Sequence, residues 1–244
     1  MKKDFRQKFE DIDTDILALQ EIKLQEHQRT EEMMDIPGYQ SYWSYSTVKK
    51  GYSGVAVYTK IKPDRVNYGI GIEKFDLEGR ILELEFKDFI LFNIYFPNGQ
   101  KDEERLQYKL DFYTALFEYT DQLKKKGKHI IITGDFNTAH NEIDIKNPKA
   151  NKDRSGFLRI ERDWLDDIQS RGYVDTFRHL YTETVKYSWW SYRFNARKNN
   201  AGWRIDYFWV SGNVINDGWL KDAFIDNNVV GSDHCPVGIQ LKLP

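Results

Sequence analysis

Three consecutive isoleucines constrain this chain more than anything else in it. In His129-Ile-Ile-Ile-Thr-Gly-Asp-Phe-Asn137, β-branched residues occupy every position from Ile130 to Thr133. A short run without polar alternation reads as a strand covered on both faces. Gly134 breaks the run and lets the backbone turn. Asp135 and Asn137 follow at once, a carboxylate and a carboxamide two positions apart. A buried strand that ends in polar groups is how α/β folds place reactive side chains at a sheet rim. Asp-x-Asn alone is read equally well as a turn cap, so other segments have to decide.

Elsewhere the pattern favours strands in hairpins and runs. Asp15–Gln20 reads as a buried strand with Glu21 at its end. Tyr39–Tyr45 and Ser53–Thr59 read as paired strands joined by a basic turn at Lys49-Lys50-Gly51. Arg80–Phe86 and Phe89–Tyr95 flank Lys87-Asp88, a hairpin spacing. Trp203–Val210 and Pro236–Leu243 read as late strands. Residues 2–14 carry Phe5, Phe9 and Ile12 at helical spacing, and Thr30–Met34 suggests a helical turn stopped by Pro37-Gly38. The clearest helix is Asp102–Lys126, with Leu106, Leu110, Tyr113, Phe117 and Leu123 near the 3.6 period. Its acids lie in the first turn, its lysines in the last, and Gly127 just beyond. A second helix is expected over Phe157–Ser170, with Ile160, Trp164, Leu165 and Ile168 facing inward. This is not the regular alternation of a doubly wound sheet. The expectation is α/β: two packed, largely antiparallel sheets flanked by helices, in one domain spanning 1–244.

Composition narrows the function classes. A single cysteine, Cys235, excludes an internal disulfide and is expected to pack as a small apolar residue. No apolar run approaches the roughly 20 residues that span a bilayer, and the N-terminus lacks an apolar leader. A cytoplasmic protein with no membrane partner is expected. Formal net charge is −2, so nucleic-acid binding would need a local patch.

Polar groups follow several apolar strands in the same way. Glu21, Tyr95, Asp135 with Asn137, and the pair Asp233-His234 all stand at strand borders. Asp206 differs, being placed inside the strand Trp203–Val210 between Ile205 and Tyr207, where a carboxylate is costly unless hydrogen-bonded or paired. Each has a plain structural reading: a solvated strand end, a core aromatic, a turn histidine. Together they supply hard oxygen ligands, a carboxylate base, an imidazole and a phenol, an inventory that suits Mg²⁺-assisted attack of water on a phosphodiester. The absence of a thiolate or multi-histidine cluster argues against zinc. His129 is expected to begin its strand and His140 to satisfy hydrogen bonds behind Asn137.

A second feature is the segment from Lys186 to Arg204. It holds five basic residues and, beyond Tyr187, five large aromatics (Trp189, Trp190, Tyr192, Phe194, Trp203), with no acid before Asp206. Basic groups neutralise phosphates and aromatics stack on bases or fill the space of a missing one. Trp190 is assigned to the core and Trp203 to the site. Lys146, Lys149, Lys152 and Arg154 mark another basic loop, which contains Asn151; it is read equally as a DNA contact or as soluble surface.

Leu19-Gln-Glu-Ile-Lys23, Asn93-Ile-Tyr-Phe-Pro-Asn-Gly99, Gly134-Asp-Phe-Asn137, Trp190-Ser-Tyr-Arg193, Gly202-Trp-Arg-Ile-Asp-Tyr207 and Gly231-Ser-Asp-His-Cys-Pro236 resemble the exonuclease III family of apurinic/apyrimidinic endonucleases. The match runs in order along essentially the whole chain and looks closest to the archaeal and bacterial branch. The resemblance implies a four-layer α/β/β/α sandwich and a monomer acting on double-stranded DNA with abasic sites. Cleavage would fall 5′ to the abasic site, leaving a 3′-hydroxyl and a 5′-deoxyribose phosphate, often with 3′→5′ exonuclease and 3′-repair activities. It further implies Mg²⁺, with Mn²⁺ able to substitute, held by Glu21 and Asp233. Asp135 would activate the water and Asn137 fix its geometry. His234, held by Asp206, would face the phosphate, and Tyr95 would contact the phosphate or the leaving oxygen. DNA contacts would come from Lys23, Asn98, Asn151 and Arg193, with Trp189 and Trp203 bordering the pocket for the flipped sugar.

Family members carry a strand with a Trp-Asn-x-Asn-Gly-like motif ahead of the helix that Lys2-Lys-Asp-Phe-Arg6 resembles. Its absence from the sequence would open the sheet and thin the metal shell. Two alternatives are therefore a catalytically impaired DNA-binding homologue and another metal-dependent phosphoesterase of the superfamily.

Overall fold

The isoleucine run lies at the middle of the larger of two main sheets. The computed structural model describes residues 5–244. Its strands begin with β1 (Ile16–Gln20), β2 (Gln40–Ser44), β3 (Val55–Thr59), β4 (Arg65–Asn67), β5 (Ile81–Glu85) and β6 (Phe89–Tyr95). They continue with β7 (His129–Asp135), β8 (Tyr173–Asp175), β9 (Asp206–Ser211), β10 (Leu220–Ile225) and β11 (Val237–Leu241). The helices that position the site are α1 (Phe5–Ile12), α2 (Glu31–Met34), α3 (Glu73–Asp76), α4 (Glu103–Lys125), α5 (Pro148–Asn151) and α6 (Arg159–Ser170). The part of the expected first helix that precedes Phe5 lies outside the described residues.

One sheet has six strands in the order β4-β5-β6-β7-β9-β8, a second has three in the order β1-β3-β2, and β10 pairs with β11. All ladders are antiparallel except β6–β7, which is parallel. A parallel neighbour needs a crossover, and α4 supplies it. Asp102 caps α4 by accepting from the Arg105 backbone amide at 2.8 Å, and the lysines of the last turn complement the helix dipole.

Burial shows four layers. Phe112, Tyr113, Leu116 and Phe117 of α4, with Leu165 and Ile168 of α6, cover one face of the six-stranded sheet through Ile90, Phe92, Ile130 and Ile132. The opposite face, carrying Leu82, Leu84, Leu91, Ile131 and Val210, packs on Val55 and Val57 of the smaller sheet. Trp43, Ala56 and Tyr58 turn outward from that sheet against Phe9 of α1 and Met33 of α2. Ile130 and Ile131 thus face different cores, which is why the run has no polar alternation. Among the described residues no helix is long and apolar enough to cross a membrane.

A buried amide couples the two sheets. Asn93 on β6 donates to the carbonyls of Leu19 (3.1 Å) and Ala56 (2.8 Å), and its oxygen accepts from Gln20 at 2.7 Å. Two expectations need correction. Ile160 does not face inward: it is 50% exposed, because the buried face of α6 runs through Glu161, Leu165 and Ile168. Asp206 is not inside a strand but is the first residue of β9. Ile205, which made it look internal, is buried in a separate loop cluster with Ala139, Ile145 and Phe157.

Candidate active site

Three neighbouring strands finish at one level. Tyr95 closes β6 and pairs with Asp135, which closes β7, and Asp135 pairs in turn with Asp206, which opens β9. The two carboxylates are nearly buried. His234, from the loop before β11, drops between them: its Nδ1 lies 2.9 Å from Asp206 Oδ2, and its Nε2 lies 4.0 Å from Asp135 Oδ2. One ligand atom each from Asp135, Asp206 and His234 fall within 4.8 Å of one another.

The backbone around Asp135 is built to hold it. Gly134 adopts φ +148°, and a Cβ there would meet the Ile94 carbonyl oxygen at 1.7 Å. Asn137 takes a left-handed φ of 50°, which lets its amide donate to Asp135 Oδ1 at 2.8 Å and its side chain approach Asp135 Oδ2 at 3.3 Å. The same carboxamide donates to the Phe96 carbonyl at 3.0 Å and accepts from Asn98 at 3.1 Å. Ser188 Oγ accepts from the amides of Ile205 and Asp206, both at 3.1 Å, anchoring the start of β9.

Electrostatics follow from crowding. Burial, then the facing Asp206 carboxylate, push Asp135 up to about 7. Burial disfavours charge on His234, but the Asp206 carboxylate outweighs it and lifts the imidazole to about 10. The phenol of Tyr95 is kept protonated by burial and by the carboxylates of Asp135 and Glu21.

Glu21 comes from the smaller sheet, just past β1. It and Lys23 both sit at φ 53°, and their segment is held by Ile22 N–H to Gly54 O and Lys23 N–H to Ser53 O. A non-glycine residue in this region persists where the surrounding structure holds it there. The Lys23 ammonium lies 2.9 Å from Glu21 Oε1. Asp233 accepts from the Trp189 indole at 3.2 Å. Trp189 and Trp203 bridge each other edge to face, ring centres 6.0 Å apart, and Trp189 also bridges the His234 backbone. Trp190 is core, buried with Tyr187 and Cys235.

Tyr95, Asp135, Asn137, Asp206 and His234 are therefore one hydrogen-bonded and electrostatic cluster. Glu21 joins through Tyr95, Asn98 through Asn137, and Asp233 with the tryptophan pair through His234. Asn151, the last residue of α5, and Arg193 lie outside it. Asn151 donates to the carbonyls of Lys146 and Asn147, and Arg193 opens an exposed 3-10 turn. His140 bonds Asp166 at 2.8 Å behind the Asp135 loop.

Sequence reading missed two groups. Arg80, nearly buried, donates to the Tyr95 carbonyl at 2.9 Å and lies over the Tyr95 ring at 4.8 Å. Lys109, fully buried, donates to the Asn137 carbonyl at 2.8 Å. Arg80 stands just before β5, and Lys109 lies one residue before Leu110 on the face of α4 that carries Phe112 and Tyr113 into the core; polar neighbours (Gln107, Asp111, Glu83) left neither charge conspicuous in the sequence.

Residues 2–234 match the family model described as Endonuclease/Exonuclease/phosphatase family. The chain is 45% identical to an exodeoxyribonuclease of Bacillus subtilis (strain 168) over 243 residues, covering 99% of this chain and 94% of that protein. It is 41% identical to the DNA repair nuclease APEX1 of Danio rerio over 233 residues, covering 95% and 74% respectively. Among solved structures, an AP endonuclease from Archaeoglobus fulgidus superposes with a TM-score of 0.88 at 25% identity, covering 98% of this chain and 93% of that one.

Proposed function

This chain belongs to the endonuclease/exonuclease/phosphatase family, in its exonuclease III-like branch of apurinic/apyrimidinic endonucleases, and we propose that it cuts duplex DNA 5′ to abasic sites. It is a DNA-repair nuclease. The proposed products are a 3′-hydroxyl and a 5′-deoxyribose phosphate, with 3′→5′ exonuclease and 3′-repair activity at the same centre. The reading includes a cytoplasmic monomer folded as one domain.

The observation that carries it is the convergence of Asp135, Asp206 and His234 at strand ends, within 4.8 Å, beside a tryptophan pair. The carboxylate oxygens gathered at this rim fit a hard divalent ion. We assign that ion as Mg²⁺, replaceable by Mn²⁺, with Glu21 and Asp233 as the half-exposed carboxylates that would hold it. When bound it supplies positive charge to the reacting phosphate.

The chain's own groups do the rest. Asp135 accepts a proton from the attacking water, aimed by the Asn137 carboxamide. His234, kept as the imidazolium by Asp206, donates to a non-bridging phosphate oxygen. Tyr95 offers a protonated phenol to the phosphate or the leaving oxygen. Lys23, Asn98, Asn151 and Arg193 contact the backbone, and Trp189 and Trp203 border the space for a flipped abasic sugar.

A duplex carrying one abasic analogue tests this. Mg²⁺-dependent nicking on the 5′ side supports it. Retarded migration without nicking would replace it with a DNA-binding homologue, and equal cutting of intact duplex would remove the abasic preference.

A further inference from the structure

Beneath the reaction centre lies a charge pair that the chemistry above does not use. Lys109 on α4 and Glu161 on α6 meet at 2.7 Å with both side chains at 0% exposure. Burial pulls the lysine's proton affinity down, opposed by Glu161. Such a pair is a poor device for stability, since apolar replacements of similar volume are often neutral or stabilising. Its bonds indicate another use.

The Lys109 ammonium donates to the Asn137 carbonyl at 2.8 Å. Asn137 stands in the left-handed region. Its amide and side-chain nitrogen both point at Asp135, and its side-chain oxygen faces Asn98. Rotating the Asn137 backbone out of this turn would withdraw its amide from Asp135, and the Lys109 bond fixes the carbonyl on the far side of the same residue. Glu161 extends the brace. It accepts from Ser155 Oγ at 2.8 Å, from the Gly156 amide at 2.6 Å and from the Leu158 amide at 3.1 Å. Gly156 is packed so closely on Trp203 that a Cβ there would meet the indole at 2.9 Å. One buried pair therefore ties the Asp135–Asn137 turn to the loop that backs the tryptophan pocket.

We propose that Lys109, with Glu161 as its counter-ion, is a positioning residue that holds the Asn137 backbone so that Asn137 aims Asp135. The inference rests on the nuclease reading for its kinetic consequence but not for its structural one.

Lys109→Met alone leaves Glu161 buried without its cation and can fail to fold. The informative variant is Lys109→Met with Glu161→Gln, which is neutral, keeps an amide oxygen for the loop, and lacks a donor for Asn137. The single-turnover nicking rate of an abasic duplex should fall about 10- to 100-fold, while KM and DNA affinity stay within about twofold of the parent. Hydrogen exchange at the Asn137 amide, measured without DNA, should accelerate about tenfold or more while amides in the core of the six-stranded sheet stay protected. A parent-like rate in the double variant, a loss confined to KM, or unchanged Asn137 exchange would each overturn the proposal. Failure of the unmodified chain to nick abasic DNA would unseat the nuclease reading instead, and the exchange measurement would still decide the role of Lys109.

Discussion

Asp135 and Asp206 stand directly opposite each other on antiparallel strands, β7 ending where β9 begins. Two nearly buried carboxylates at this separation cannot both carry charge cheaply, and His234 between them carries the compensating proton.

That arrangement fixes a pH profile. Asp135, raised to about 7 by burial and by Asp206, accepts a proton only after losing its own. Turnover should therefore climb with pH and level off near that value. His234, lifted to about 10 chiefly by Asp206, loses its donor role only above it, giving a second, alkaline fall. Single-turnover rates across both limbs check this; a rate indifferent to pH below neutrality would contradict it.

Asp135→Asn keeps the shape of the side chain and removes the base. Cleavage should drop by roughly 10²–10⁴-fold, with DNA affinity unchanged in a mobility-shift assay. Preserved turnover would mean that another group takes the proton.

Gly134 tolerates no side chain. A Cβ would lie 1.7 Å from the Ile94 oxygen, at φ +148°, inside the parallel β6–β7 ladder. Gly134→Ala should cost about 3 kcal/mol of stability, read as a lower urea midpoint, and should impair cleavage by displacing Asp135 from Tyr95.

Removing divalent ions should abolish nicking while far-ultraviolet circular dichroism stays unchanged, because the carboxylates sit at strand ends rather than within the packed layers. Restoring Mg²⁺ at 100 times its dissociation constant should raise unfolding stability by about 2.7 kcal/mol. No gain in stability would argue against Glu21 and Asp233 as a preformed ion site.

The strand-end acids were legible in the sequence because each follows an apolar run that can only be a strand. The start of β9 was not. Ile205 and Tyr207 flank Asp206 as strand neighbours would, yet Ile205 is buried by the 139–157 loop, a contact no local pattern encodes. Lys109 and Glu161 are 52 positions apart, and Arg80 is 15 from Tyr95; such pairings exist only after the layers assemble. The three-residue strands β4 and β8, and β10 as well, were likewise invisible, since their ladders are set by partners and not by propensity. Ile160 failed for the opposite reason: it satisfies the helical period, yet the fully buried position of that turn is taken by Glu161.

The Asn93 amide has a further consequence. Its two donors reach different strands of the facing sheet, Leu19 on β1 and Ala56 on β3, so sliding one layer across the other would sever both bonds together. The gap from Glu21 to Asp135 is thereby gauged by a polar tether instead of by how aliphatic groups interlock. Mutational drift can reshape the greasy filling between the layers while the span across the cleft stays calibrated.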